Sequence, residues 1–401
     1  MAGGVTLLPV AEAQARLLAL KSPLAPEAVS LDVAAGRWLA QDLLSLRDQP
    51  AANLSAMDGY AVRFADFPGP WQVIGTSAAG GTPPPAIGKG EAVRIFTGAP
   101  LPSGADIVII QEDVSVSGVT FALNFGVTPS PRAGQHVRPT GSDFRQEQKI
   151  IPAGTRLSAR HIALAALARH GNLNVHRRPR IAVLSTGSEL VPPGAPVGPG
   201  QLPASNAVML RAMLAALPCD IIDMGIVGDD LDALSHAFRA AAQADIVVTT
   251  GGASVGDHDL VKPALVAAGG SVDFWKIAMR PGKPLICGTL GQAAFLGLPG
   301  NPVSAYVTAT LFLLPLVRHM AGSRDPLPKE VVAHAGAAIP ATGTRAEYVR
   351  ASMENGIATP LVFQDSAATL ALSQANCLIH RTPQSPAIVA GDPVTILPLP
   401  A

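Results

Sequence analysis

Charge is what this sequence has little of. Only 14% of its 401 residues are Asp, Glu, Lys or Arg, and 29 cations balance 29 acids, leaving no formal net charge. Without a polycationic field, neither nucleic acid nor an anionic membrane is expected as a main partner. Cysteine is scarcer still. Cys219, Cys287 and Cys377 are odd in number and scattered, which excludes a disulfide framework and the CxxC spacing of a zinc site. They read as structural filler in a reducing compartment. The N-terminus, MAGGVTLLPVAEAQARLLAL, has no basic segment followed by an apolar one, so it does not read as a secretory signal. The most apolar stretch, 303–317, contains Tyr306 and Pro315 and falls short of the roughly 20 residues a membrane span needs. A cytoplasmic protein is expected. Also missing are a GxGxxG after a strand, a Walker A sequence and any internal repeat.

What is present is apolar. Hydrophobic residues make up 48% of the chain, enough for a large buried core and, at this length, two to four domains. Val10, Ala13, Leu17 and Leu20 fall at helical spacing behind Pro9. Residues 27–45 form a short connecting element. Residues 46–146 cluster Pro, Gly and Ser around alternating stretches at 92–96, 107–111 and 114–123, a β-rich module with tight turns. Residues 147–177 return to helix around 159–169 and end in the basic HRRPR at 176–180.

Beyond that point the pattern is regular. Strands are expected at 181–185, 220–227, 245–250, 271–277, 285–288 and 293–298, with helices at 206–217, 231–242, 260–268 and from 303. Strand and helix in alternation with short loops predict an α/β core with a parallel sheet covered on both faces. Ligands bind such sheets at the carboxyl ends of the strands. From about 327 onward, Pro, Thr and Val in alternating patterns predict a small C-terminal β domain.

Acids recur at the loops. Asp58 lies in MDGY of the β-rich module and Asp143 in GSD at its end. Glu189 follows the first core strand in STGSEL, Asp229 the second in GIVGDD, and Asp259 the third in GGASVGDHD. Taken singly, each is an ordinary helix-capping carboxylate. Together on one sheet edge, beside glycine-rich loops, the three core acids point to a site. Lys276, Arg280 and Lys283 answer them just after the 271–277 strand. Gly251, Gly252, Gly256 and the turn Pro299-Gly300-Asn301 offer backbone amides near helix starts, which suits an oxyanion or a phosphate. Carboxylates and a polyanion repel: at an effective dielectric near 20, a like-charge pair at 4 Å costs about 4 kcal/mol. A hard divalent cation, magnesium above all, resolves the conflict. The residue types therefore suggest metal-assisted chemistry on a phosphorylated, nucleotide-like ligand.

Two other motifs weigh less. Gly252-Ala253-Ser254-Val255-Gly256 matches GxSxG between a strand and a helix, with His319 and His334 downstream. The preceding Gly251 and the polar GDHD spoil a tight nucleophile elbow. His258, between Asp257 and Asp259, reads as a lone exposed loop histidine rather than a metal ligand.

With these residues assembled, the chain resembles the molybdopterin molybdenumtransferase family, to which the C-terminal domain of gephyrin is related. The likeness rests on SAMDGYAV (55–62), RIFTGAPLPSGADIVIIQED (94–113), RPTGSDF (138–144), LSTGSEL (184–190) and GIVGDD (225–230). It continues through TTGGASVGDHD (249–259), FWKIAMRPGKP (274–284), GLPGNPVSA (297–305) and RAEYVRASM (345–353). It implies a molybdopterin adenylyltransferase-like core from 1–26 and 178–326, a linking domain from 27–45 and 147–177, the β-rich module at 46–146 and the C-terminal β domain at 327–401.

The resemblance further implies adenylylated molybdopterin and molybdate as substrates, magnesium as cofactor, release of AMP, and a homodimer whose active sites are shared between chains. Its functional acids map onto Asp58, Asp143, Glu189, Asp229 and Asp259, of which Glu189, Asp229 and Asp259 would hold the metal. Thr186, Gly187, Gly251, Gly252, Ser254, Gly256, Lys276, Arg280, Lys283, Pro299, Gly300 and Asn301 would bind the ligand. Molybdopterin adenylyltransferase and molybdoenzyme maturation proteins are further expected partners. Where many members carry Asp in STGDEL this chain has Ser188, and Ser142 stands before Asp143. Competing readings are adenylyl transfer to molybdopterin and a gephyrin-like non-catalytic scaffold. The modules outside the core argue against the first, and the retained acids against the second.

Overall fold

Short β-branched runs dictate the centre of the molecule. The computed structural model describes residues 7–124, 131–251 and 260–399. In it Ile246–Thr250 is buried at every position, as a strand covered on both faces must be. It lies inside a six-stranded sheet ordered Asp220–Val227, Arg180–Thr186, Ile246–Thr250, Ala293–Leu298, Pro284–Leu290, Gly270–Lys276. Five strands run in one direction. The exception is Pro284–Leu290, antiparallel to both neighbours. Only Gly291 and Gln292 join it to Ala293–Leu298, and two residues can close a hairpin but not a crossover.

Helices cover both faces. Leu234 and Phe238 of Leu231–Ala241 and Leu265 of Val261–Ala267 build one core layer, in which Phe238 meets Phe295 edge-on at 5.2 Å. Burying one such side chain contributes about 1.5–3 kcal/mol. The other layer combines Val10–Ala19, Ser205–Ala215 and the apolar helical run Pro302–Met320. At 19 residues that run is longer than the 303–317 stretch read from sequence and is long and apolar enough to cross a membrane, yet 83% of its most apolar window is buried against the sheet. Within it Ala309–Leu313 adopts a π-helical turn. Pro315 has no N–H for the carbonyl of Leu311, and Gln14 Nε2 of the N-terminal helix supplies one at 2.9 Å.

Around this core stand three smaller units. Pro26–Ser30 pairs with Asn172–His176 and Leu43–Leu44 with Lys149–Ile151, over a small core of Leu39, Ile151, Leu157 and Val175. The chain between them carries its own six-stranded sheet, centred on Glu91–Ile95 and Trp71–Ser77 and packed by stacked Tyr60, Phe121 and Trp71. The alternating stretch 114–123 is a hairpin rather than one strand. Gly118, at φ 62°, turns Val114–Ser117 back onto Thr120–Leu123. The C-terminal sheet begins at Val331–Ala335 and takes in a strand from the core: Met279 and Arg280 pair in parallel with Ala346 and Glu347. This last contact sets the position of the candidate site.

Candidate active-site cleft

The carboxyl ends of the core strands open into a cleft of about 1500 Å³, whose opposite wall is the C-terminal sheet. Close approach of the loops requires glycine at two places. Gly251 has φ +101°, and a Cβ there would lie 2.2 Å from the Thr186 carbonyl oxygen. Gly187 has φ +146°, and a Cβ there would lie 2.5 Å from the Glu189 carboxylate, which folds back over it. Thr186, Gly187 and Gly251 all line the cleft, with Pro299, Gly300 and Asn301 beside them. Asn206 Nδ2 donates to the Gly300 carbonyl at 2.7 Å and ties that turn to the start of helix Ser205–Ala215.

Glu189 and Asp229 face this space. Neither caps a helix. Glu189 precedes a short strand, Leu190–Val191, and its carboxylate accepts no hydrogen bond among the described residues. For Asp229 the capping role belongs to its neighbour: Asp230 Oδ1 accepts from the Ala233 amide at 2.8 Å at the head of helix Leu231–Ala241. Asp229 instead bonds across to the first loop, its Oδ2 accepting from the Ser188 amide at 3.1 Å. Asp259, Gly252, Ser254 and Gly256 lie outside the described residues, as does His258. Of the histidines named with the GxSxG motif, His319 Nε2 lies 2.8 Å from the Lys21 carbonyl and His334 Nδ1 3.0 Å from that of Gly391. Both are engaged by backbone.

The cations divide. Arg280 and Lys283 line the cleft, on the loop stitched to the C-terminal sheet. Arg280, itself exposed, reaches the partly buried Glu347 only at 3.9 Å, a long pair of little energetic weight. Lys276 ends its strand with its ammonium 4.4 Å over the Trp275 ring and is not part of the cleft wall.

Asp58 and Asp143 are also absent from this wall. Asp58 immediately precedes strand Gly59–Val62 of the β-rich module, and its Oδ1 accepts from the Thr97 amide at 2.7 Å and the Thr97 hydroxyl at 2.8 Å. Those two bonds, amide first, hold its carboxyl below the usual carboxylate range. The Asp143 side chain is exposed, and its amide donates to the Gln49 carbonyl at 2.9 Å. One chain thus gathers Glu189, Asp229, Arg280 and Lys283 into a single cleft and leaves Asp58 and Asp143 elsewhere.

Three family models match the chain: the MoeA N-terminal region (domain I and II) over 8–168, the "probable molybdopterin binding domain" over 182–319, and the MoeA C-terminal region (domain IV) over 332–399. A molybdopterin molybdenumtransferase from Haemophilus influenzae is 35% identical over 402 residues, covering 98% of each chain. The chain belongs to the molybdopterin molybdenumtransferase family. A relative of that name from a Nostoc species is 39% identical over 308 residues, covering 74% of this chain and 70% of its own. Two solved structures of the molybdopterin biosynthesis MoeA protein from Pyrococcus horikoshii superpose with a TM-score of 0.85 at 29% and 26% identity. They cover 99% and 98% of this chain and 100% of their own.

Sequence reading missed what the C-terminal sheet adds to this cleft. Arg345, Glu347, Gln364, Asp365 and Ser366 line it. Arg350, 1% exposed, shapes their loop by donating from Nη1 to the Asp365 carbonyl and from Nη2 to the Phe363 carbonyl, both at 2.9 Å. Burial lowers its pKa, and Asp365 partly opposes that. Ser366 Oγ accepts from Asn301 Nδ2 at 2.8 Å, which fastens this loop to the core turn. An arginine on an alternating strand gives no sign in sequence that it is buried.

The cysteines match the structural reading. Cys287 and Cys377 are buried and Cys219 is partly so, all free. Desolvation pushes the Cys219 and Cys377 thiols up to about 11 and Cys287 higher still.

Proposed function

We propose that this protein is a molybdopterin molybdenumtransferase: it inserts molybdate into adenylylated molybdopterin and releases AMP, giving molybdenum cofactor. The observation that carries this reading is one cleft holding two carboxylates with a hydrogen-bonding oxygen to spare, Glu189 and Asp229, opposite Arg280 and Lys283. A phosphate-linked anionic ligand and a tetrahedral oxyanion both need that pairing of charges.

The acids fit a hard divalent cation such as magnesium. Among the described residues the Glu189 carboxylate is unbonded and one Asp229 oxygen is free, and oxygen donors of this kind suit such an ion. Among the described residues no three His, Cys, Asp or Glu side chains cluster as a complete ligand set, so phosphate oxygens, water and Asp259 would complete the shell. When bound, the ion supplies charge neutralisation at the pyrophosphate linkage. The chain's own part is positioning. Arg280 and Lys283 draw molybdate to the dithiolene, and the amides of the Pro299-Gly300-Asn301 turn orient phosphate oxygens. The dithiolene sulfurs bind the molybdenum as a molybdate oxygen leaves with the two thiol protons as water, and a second water attacks the phosphoanhydride to release AMP.

Asp58 and Asp143 enter this reading through a second copy of the chain. In a two-fold homodimer the β-rich module of each chain would bring its acids to the partner's cleft. The four-part division at 1–26 with 178–326, 27–45 with 147–177, 46–146 and 327–401 belongs to the same proposal. Adenylyl transfer by the core is the competing enzyme reading, and the cleft wall built by Gln364, Asp365 and Ser366 favours insertion instead, since a transferase confined to the core would not use it. The deciding experiment incubates the protein with adenylylated molybdopterin, molybdate and magnesium. Molybdate-dependent AMP release together with active cofactor is expected; AMP release without cofactor, or neither product, sinks the reading.

A further inference from the structure

Two loops at the mouth of the cleft hold each other by hydrogen bonds that run in both directions. The Ser188 amide donates to Asp229 Oδ2 at 3.1 Å, and the Asp229 amide donates to Ser188 Oγ at 2.9 Å. The loop after Arg180–Thr186 is thereby clamped to the loop after Asp220–Val227, across 41 residues of sequence. Further support comes from Gly187, whose amide donates to the Val227 carbonyl at 3.1 Å. Gly228 leaves the Ser188 hydroxyl its space, since a Cβ there would lie 3.3 Å from Oγ. Both clamp residues are exposed, so water can replace either bond and the clamp adds little to global stability.

Its consequence is orientation. With Oδ2 held by the Ser188 amide and its own amide held by the Ser188 hydroxyl, the Asp229 carboxylate has one direction left for Oδ1. We infer that Ser188 is a positioning residue that aims Asp229 at the cation-binding side of the cleft, and so sets the affinity for the divalent ion rather than the rate of the step itself. A serine suits this post because it accepts from an amide without adding a charge. A carboxylate in its place would accept the same bond but stand beside Asp229, where like charges repel. This inference rests on the proposed function and is tested separately from it.

The test measures Mn2+ binding to AMP-loaded protein by electron paramagnetic resonance, alongside the magnesium dependence of AMP release. Ser188→Ala should raise the Mn2+ dissociation constant about three- to tenfold, the range expected for one lost hydrogen bond. Saturating magnesium should restore the AMP-release rate, and the melting temperature should stay put. Ser188→Thr keeps the hydroxyl and should recover most of the affinity. Because Ser188 acts through Asp229, the Ser188→Ala/Asp229→Asn double variant should bind Mn2+ no more weakly than Asp229→Asn alone. Wild-type affinity in Ser188→Ala, or additive losses in the double variant, would overturn the inference. Wild-type protein that neither binds Mn2+ nor releases AMP would instead overturn the proposed function.

Discussion

The acids of the core edge and those of the β-rich module look alike in sequence and differ in what surrounds them. At the core edge, Glu189 is unbonded among the described residues and Asp229 retains a free oxygen, because Asp230 has taken the helix cap and Ser188 holds only one side of the carboxylate. In the module, Asp58 is held by the amide and hydroxyl of Thr97, and its acidity is raised by that grip. The first pair keeps carboxylate oxygens open to the cleft. The second acid already shapes a turn, so its replacement combines two effects, a local one within its own chain and one at whatever cleft the module reaches.

The sharpest way to break this comparison is to separate the two regions by chain. Asp58→Ala and Glu189→Ala proteins should each be nearly inactive. Differently tagged and purified as mixed dimers, they should recover about half of wild-type AMP release, since one site receives both defects and the other none. Mixed dimers as dead as their parents would show that each chain completes its own site. For Glu189→Ala alone that near-inactivity means AMP release lower by about 10²- to 10³-fold. Its melting temperature should not move, because the side chain is exposed and has no hydrogen-bond partner among the described residues. A large drop in melting temperature would assign Glu189 to the fold instead.

Next comes the acidity of Asp58. Its folded pKa lies below the unfolded value near 3.9, so the bond to Thr97 stabilises the turn above that value and fades as pH falls through the folded pKa. Titration of the labelled carboxyl by nuclear magnetic resonance should find it mostly ionised at pH 4. Thr97→Val, which removes the hydroxyl but not the amide, should bring the pKa part of the way back up. An unchanged titration in that variant would leave the amide as the sole cause. The smallest effect concerns the thiols: at pH 8 iodoacetamide should leave Cys287 and Cys377 unmodified in native protein and modify them after denaturation, which mass spectrometry reads directly.

Much of the core was legible before any coordinates. Strands 220–227 and 293–298 are found at their expected bounds, because β-branched runs between turn residues leave few other options. The reversed strand Pro284–Leu290 was not legible as such, since a periodic pattern carries no direction. The hairpin at Gly118 was hidden for a similar reason, as its two short strands share one alternating pattern.

The sequence by itself determined the residue types of this protein's candidate site: the acids, the glycine-rich turns and the basic RPGKP loop are readable because their chemistry is carried by residue type. Only the tertiary structure decided which of them meet. It placed Arg280 and Lys283 in the cleft and Lys276 on Trp275, gave the helix cap to Asp230 rather than Asp229, and built the far wall from a buried Arg350 and the loop it shapes. Those outcomes depend on hydrogen bonds between residues far apart in sequence, 65 positions in the case of Asn301 and Ser366, and on packing between separate sheets. Local propensity and periodicity extend over a few residues and hold no record of such partners.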